Sequence, residues 1–527
     1  MRDSDFPAAR PGATDVLRHD LPASIVVFLV ALPLCMGIAI ASGVPAENAA
    51  AVGIITGIVG GLVVGFVAGC PLQVSGPAAG LAVLVAQMIE RHGWTMLGPI
   101  VLVAGAIQVA AGALRLGQWF RAVSPALVKG MLAGIGVLIF AGQFHVMVDD
   151  MPPGIGRSYG GLINLITIPQ AVWKGFAETP HRAAAAIGSL TIVCIVIWSS
   201  LVPKKLRVLP APLIGVTVAA ATAAILGLEV NFIQVPSNLL KTVRLPAPVD
   251  LARVADSSIL LAGLALAFVA SAESLLTATA VDGMQQRAPR TRYDRELAAQ
   301  GIGNLICGAI GALPMTGVIV RSSANVMAGA RTRLSTVFHG AWLLLLAVAA
   351  PSLLRLVPVS SLAAVLVFTG YKLMDFRAVA ALRVYGRGEV VVYLVTLLVV
   401  VGVDLLTGVV AGIAVAVARL LYIFSHLEVR LDPDHVPGRM ILRLRGAATF
   451  LRLPQLAAIL EQVPASSELH VHMEELDFID HACLDLLMKW EQQHRAAGGT
   501  LLMDWEELTG RMQTPANRGT NGAAGAG

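Results

Sequence analysis

The sequence predicts an all-α membrane domain of about fourteen transmembrane segments, built as two inverted sets of seven and followed by a small α/β unit. Three observations carry this. The 527 residues are 56% hydrophobic and only 13% charged, against roughly 25% charged in soluble domains. The mean hydropathy is +0.76, so lipid must cover much of the surface. Apolar runs then follow one another from about residue 21 to residue 424. Finally, two Gly/Pro-punctuated stretches recur at matched places, third in each set of seven.

The runs fall near 21–43, 46–68, 73–90, 96–115, 125–147, 182–202, 210–228, 257–281, 298–313, 316–330, 335–351, 359–372, 388–402 and 405–424. Most can span as helices at about 1.5 Å per residue. Residues 73–90 and 316–330 open with Gly, Pro and small residues and read as half-helices with extended lead-ins. The polar stretch 1–20 has no apolar h-region or cleavage site, so the first run is expected to remain as a span.

With the N-terminus in the cytoplasm, loops after even-numbered segments carry the basic residues: Arg115, Arg121, Lys129, Lys204, Lys205 and Arg207, then Arg287, Arg290, Arg292, Arg295, Arg331, Arg333, Lys372, Arg377, Arg383 and Arg387. Opposite loops balance Asp149, Asp150, Glu178, Asp250 and Asp256 against Arg157, Lys174, Lys241, Arg244 and Arg253. The positive-inside rule fits this orientation, and an even number of spans returns the C-terminus to the cytoplasm; the chain is expected in the cell inner membrane.

Composition changes after about Ser425. Strand-like alternation at 440–444, 468–472 and 500–503, with helix-like runs at 453–463 and 483–496, reads as a soluble α/β unit. The resulting division is a cytoplasmic segment 1–20, a transport domain 21–427, an α/β domain 428–510 and a disordered tail 511–527.

The first punctuation runs Gly69-Cys70-Pro71-Leu72-Gln73-Val74-Ser75-Gly76-Pro77-Ala78-Ala79-Gly80; the second runs Gly311-Ala312-Leu313-Pro314-Met315-Thr316-Gly317-Val318-Ile319-Val320-Arg321-Ser322-Ser323. Broken helices of this kind, meeting at the midplane, offer two N-termini with unpaired N–H groups and about half a positive charge each, which suits an anion. The bland alternative is close helix packing through small residues.

Two charges sit where lipid should exclude them. Arg321 opens the second half-helix and would set a positive potential. Glu273 lies inside the eighth segment, with Thr277 four residues on and on the same helix face. A carboxylate here can carry a proton, because low-dielectric surroundings favour the neutral acid. It can instead pair with Na⁺, with Thr277 as a second oxygen, or pair structurally with Arg321.

Other chemistry is thin. Cys35, Cys70, Cys194, Cys307 and Cys483 are scattered, with no CxxC pair, so neither a disulfide framework nor a zinc site is expected. His470, His472 and His481 with Asp480 have incomplete metal spacing. The absence of a Walker loop, a nucleophile elbow and an HExxH motif argues against an ATP-driven pump or an enzyme. A net charge of +5 is small for this length and gives no reason to expect a nucleic-acid partner.

The chain resembles the SulP (sulfate permease) family of anion transporters through Ser75–Gly80, Glu273–Thr277 and residues 316–326, and its α/β unit resembles the STAS domain of that family. The resemblance implies a core domain and a gate domain, with segments one, three, eight and ten enclosing the substrate. By motif match the anion would lie near Leu34, Ile38, Ala78, Ala79, Gly317, Val318, Ile319 and Arg321. Glu273 and Thr277 match the pair at which relatives place a coupling cation. Residues 28–37 lack the Gln that many relatives carry after Pro33, which resembles a bacterial subgroup associated with carbonic anhydrase and favours bicarbonate. Asp480-His481-Ala482-Cys483 replaces the family's phosphorylation loop and offers no hydroxyl.

The expected activity is secondary active transport of a small inorganic anion, bicarbonate ahead of sulfate, by elevator-like alternating access. Coupling to H⁺ or Na⁺ would run through Glu273, with no resident cofactor or metal. A homodimer with a STAS contribution and association with carbonic anhydrase follow from the family pattern. The competing classes are an uncoupled exchanger or channel-like conductor of chloride, bicarbonate or dicarboxylate, and a sensor whose STAS unit binds a partner.

Overall fold

Apolar runs interrupted at Gly and Pro become helices with short breaks. The computed structural model describes residues 16–118, 124–155, 159–203, 209–236, 242–286 and 288–503. Of the sequence expectations, those resting on residues 1–15, Arg121, Arg157, Lys204, Lys205, Arg207, Lys241, Arg287 and the chain beyond 503 lie outside the described residues.

A helix occupies each of the fourteen apolar runs. In the first half these are α1 (Leu21–Ala41), α2 (Ala46–Val67), then strand β1 (Ser75–Gly76) leading into α3 (Ala79–His92), α4 (Leu97–Ala113) and α5 (Pro125–Met147). Two short helices, α6 (Gly160–Ile166) and α7 (Ile168–Ala177), lie where the sequence predicts a loop. They precede α8 (Thr179–Leu201) and α9 (Ala211–Ile225). The second half has α10 (Ser257–Met284), α11 (Tyr293–Ala309), strand β2 (Thr316–Gly317) leading into α12 (Ile319–Met327), α13 (Leu334–Ala349), α14 (Val359–Leu373), α15 (Arg387–Gly402) and α16 (Leu405–Ser425). Among the described residues, eight helices are long and apolar enough to cross a membrane.

Helix α11 is held against α4 by small residues. A Cβ on Gly105 would meet the carbonyl oxygen of Gly301 at 2.8 Å, and one on Gly98 would meet that of Gly308 at 2.9 Å. Seven-residue spacing on both helices keeps the glycines facing, so the backbones approach closely. This approach fixes the platform on which both broken segments rest.

The chain forms two compact units, 1–413 and 414–527, that divide within α16. In the second unit, strands β3 (Leu427–Pro433), β4 (Arg439–Ala448), β5 (Glu468–Ile479) and β6 (Thr500–Leu502) form one sheet in that order. The β3–β4 pair is antiparallel; the others are parallel. Strand alternation sends Leu442, Leu444, Leu469 and Leu501 into a core with α17 (Leu453–Leu460) and α18 (His481–Ala496), which contribute Leu456, Leu460, Cys483 and Leu487.

Candidate functional site

Pro71, Pro77 and Pro314 cannot donate a backbone hydrogen bond, so the chain leaves the helix there: Pro71 sits in a turn closed by the Gln73 N–H on Cys70 O at 3.4 Å, and the chain around Pro77 and Pro314 runs extended. The two lead-ins satisfy each other. Ser75 pairs with Gly317 and Gly76 with Thr316 in an antiparallel register, and the Val318 N–H donates to Val74 O at 2.9 Å. Each lead-in then turns into a helix through an extended residue, Ala78 (φ −116°, ψ 138°) or Val318 (φ −105°, ψ 115°), whose side chain makes no capping hydrogen bond. The N-termini of α3 and α12 therefore start side by side at a buried crossing, with their dipoles available to an anion.

A polar stripe on α11 holds this crossing. Glu296, Gln300 and Asn304, spaced four apart and fully buried, face it together. Glu296 accepts from the Cys70 N–H at 2.8 Å and from the amides of Gln73 (2.9 Å) and Gln300 (2.8 Å). The Gln300 amide also donates to Ser75 Oγ at 2.7 Å. Asn304 accepts from Met315 N–H at 2.8 Å and donates to its carbonyl at 3.1 Å. One helix thus grips both lead-ins. Ser274 on α10 accepts from Gly317 N–H at 3.1 Å, and Asn325 on α12 donates to Leu72 O at 3.0 Å.

The residues expected at the site fall around this crossing. Ala78 is buried and Ala79 begins α3; Gly317 ends β2, Val318 is buried and Ile319 begins α12 with 37% of its surface exposed. Leu34 and Ile38 are buried on α1, which packs against both half-helices. Arg321 is completely buried and donates through Nη2 to Pro77 O at 3.1 Å, while Nε and Nη1 have no hydrogen-bond partner. Its guanidinium therefore reaches back under the opposite lead-in with the buried Cys35 thiol beside it, and neither Nε nor Nη1 donates to an oxygen of the protein.

Glu273 lies against the first turn of α3: a Cβ on Gly80 would stand 2.7 Å from both carboxylate oxygens. Gly80 therefore admits the carboxylate to a position favoured by the helix dipole. Thr316 hydrogen-bonds it, and Oε2 has no donor. Thr277 is buried one turn along α10. No ion pair joins Glu273 to Arg321 among the described residues, so neither charge is spent on the other. The crossing gathers Glu273, Arg321, Ala79 and residues 316–319 directly, and Leu34, Ile38 and Thr277 through the helices that carry them.

The sequence reading passed over Glu296, Gln300, Asn304 and Gln73. The four-residue spacing of the first three inside an apolar run was visible; their partners, over two hundred residues away, were not. It also passed over His339 on α13, which is buried with both ring nitrogens unpartnered and close enough to Arg321 to feel its charge.

Crossed half-helices inside a multi-pass helical bundle, with a buried arginine and carboxylate beside their N-termini, define a membrane transporter rather than an enzyme. The chain belongs to the sulfate permease family of anion transporters, which matches residues 17–396. It is 26% identical over 435 residues to the bicarbonate transporter BicA of Picosynechococcus sp., covering 78% of this chain and 71% of that one. It is 28% identical over 405 residues to the putative sulfate transporter YvdB of Bacillus subtilis, covering 76% and 72%.

Among solved structures, it is similar to the transmembrane domain of a cyanobacterial bicarbonate transporter BicA, with TM-score 0.60 and 21% identity over 76% of this chain and 97% of that one. It is also similar to the murine Solute Carrier 26 family member A9 anion transporter in the inward-facing state, with TM-score 0.72 and 14% identity over 94% and 86%. At these identities the structural likeness is one of fold.

Proposed function

We propose that this protein is a secondary transporter of a small inorganic anion, bicarbonate ahead of sulfate. The observation that carries the reading is the pairing of Ser75–Gly76 with Thr316–Gly317, which brings two helix N-termini together beside Nε and Nη1 of Arg321. The anion would lie against Ala78, Ala79, Gly317, Val318, Ile319 and Arg321, with Leu34 and Ile38 closing the site from α1. Backbone N–H groups and one guanidinium recognise oxyanions without a metal.

Glu273 is the residue we assign to coupling, with Thr277 beside it. Its carboxylate touches α3 at Gly80, so neutralising it by H⁺ or Na⁺ would change the field at the anion site directly. In this reading all fourteen runs cross the inner membrane with both termini in the cytoplasm. A core carrying the broken segments moves elevator-like against a gate. Residues 428–510 form a STAS domain that contributes to a homodimer, and carbonic anhydrase would supply the substrate.

The test is uptake into proteoliposomes with labelled bicarbonate, sulfate, chloride and dicarboxylates under imposed H⁺ or Na⁺ gradients. Saturable, gradient-driven uptake of one small oxyanion is expected. Large unitary currents would replace the carrier by a channel-like conductor, and gradient-independent exchange would remove the coupling role. Glu273→Gln, nearly isosteric, should retain exchange and lose the response to the driving gradient. An equal response in both proteins would move coupling elsewhere.

A further inference from the structure

A cavity of about 730 Å³ lies beside the crossing and contains none of the residues assigned to the anion. It begins at Ala82, one turn into α3 from Ala79, and runs between α3, the end of α1, and helices α5 and α6. Three uncharged amides line it: Gln87 on α3, Gln143 on α5 and Asn164 on α6. Gln143 is only 7% exposed, and its side-chain carbonyl has no hydrogen-bond partner. A buried carbonyl without a donor is unfavourable, and only a donor can satisfy it: a water, or the hydroxyl of a protonated oxyanion such as bicarbonate. Asn164 Oδ1 is occupied by the Gly154 N–H at 2.7 Å.

Charged lining residues gather at one end. Glu90 and Arg91 close α3 and are exposed, and Arg91 Nη2 stands 3.6 Å from Asp404 Oδ2. The Arg91–Asp404 pair joins the half-helix to the loop between α15 and α16 across the cavity mouth. Arg91 is matched by Asp404 there and Glu90 adds a second carboxylate, so the amides behind them face a passage without an unmatched cation.

We infer that Gln143, with Gln87, forms a second recognition station for the transported oxyanion, on one side of the central site. This rests on the transport reading above and extends it to residues that the crossing does not use. A carboxamide N–H donates to an oxyanion oxygen, and a carboxamide can turn so that its other end accepts from the anion's retained water or from a protonated oxygen. The carboxamides select for hydrogen-bonding anions and exchange some of their water for amide contacts. Without a fixed cation they hold the anion weakly enough to release it towards Arg321. α3 carries Gln87 and Ala79 on one rigid element while Gln143 stays on α5, so movement of the half-helix changes the spacing of the two amides as it moves the central site.

The test is label exchange in right-side-out and inside-out membrane vesicles holding the full chain, with labelled bicarbonate or sulfate on one face and saturating unlabelled anion on the other. Gln143→Leu should raise KM about three- to tenfold on one face only, the loss of one or two neutral hydrogen bonds, and leave KM from the opposite face unchanged. Gln87→Leu should shift the same face, and it provides the measurement if Gln143→Leu does not fold. Equal KM shifts on both faces would assign these residues to the central site and overturn the proposal, as would unchanged KM on both. Absence of exchange by the wild-type chain would instead sink the transport reading.

Discussion

The first broken segment leads into a helix of fourteen residues and the second into one of nine. They meet in register at the crossing, yet their surroundings differ. The first lead-in is bound by a buried carboxylate, Glu296, and its helix receives a second carboxylate, Glu273, at Gly80. The second lead-in has its backbone bound by neutral groups, Thr56, Asn304 and Ser274, with the Thr316 side chain on Glu273, and its helix carries the buried Arg321. The two broken segments therefore repeat a backbone shape; the chemistry is divided between them. The half rich in acceptors is rigidly anchored, and the half with the guanidinium brings the charge that an anion seeks.

The largest effect expected from this division is at Glu296. Glu296→Ala leaves the Cys70 N–H and the Gln73 amide without their acceptor in a buried site, at about 1–3 kcal/mol for each unsatisfied donor. Asn304→Ala removes two neutral bonds on the other lead-in. Thermal unfolding of the purified proteins should show the larger loss for Glu296→Ala, with part of it recovered in Glu296→Gln. Equal losses would mean that the two lead-ins are anchored alike.

The two glycines at the crossing sharpen the comparison. A Cβ on Gly317 would overlap the Gln73 carboxamide, which is pinned by Glu296. A Cβ on Gly80 would crowd the Glu273 carboxylate, whose Oε2 has no donor. Gly317→Ala should thus abolish uptake and lower the melting temperature by several degrees. Gly80→Ala should fold nearly normally and chiefly alter the gradient dependence of uptake. Identical phenotypes would break the proposed split between anchor and coupling group.

Arg321→Ala should weaken anion binding at least tenfold, measured by KM or by isothermal titration, with a smaller effect on melting because only one of its nitrogens donates to an oxygen of the protein. Arg321→Lys should recover little, since an ammonium lacks the planar fork that reaches both a carbonyl and an anion. Unchanged affinity in Arg321→Ala would remove it from the site.

How much of this was readable beforehand follows from the range of each interaction. Helix positions came from local hydropathy, and the matched breaks came from Gly and Pro within a few residues, so both were legible. The pairing of Ser75 with Gly317 joins residues from opposite halves and was expressed in sequence only as similarity between the breaks. The Glu296–Gln300–Asn304 stripe was legible as a spacing but not as a grip, because its partners lie in distant segments. Helices α6 and α7 escaped because seven and ten residues are too short for hydropathy to separate from a loop. Strand β5 runs on to Ile479 through Glu475 and Asp477, where acidic residues hide its continuation.

The smallest expected effect concerns Cys483, in the second unit. It sits in the first turn of α18, a position that ordinarily favours a thiolate. Asp480 reverses that preference. Its carboxylate accepts from the Cys483 N–H at 2.9 Å, and burial together with the Asp480 charge pushes the thiol from 9.0 up to about 12. A raised acid pKa means that the folded unit keeps the proton at pH 9–11, where an unfolded chain would lose it, so alkylation in that range should track unfolding. Asp480→Asn keeps a capping oxygen while removing the charge. It should lower the melting temperature modestly, because the Phe450 N–H loses the second carboxylate oxygen to which it donates, and raise the native alkylation rate of Cys483 at pH 9 several-fold. An unchanged rate would assign the shift to burial alone, and the contrast with Glu273, a carboxylate placed at a helix start to act on the site rather than on its own helix, would lose its counterpart.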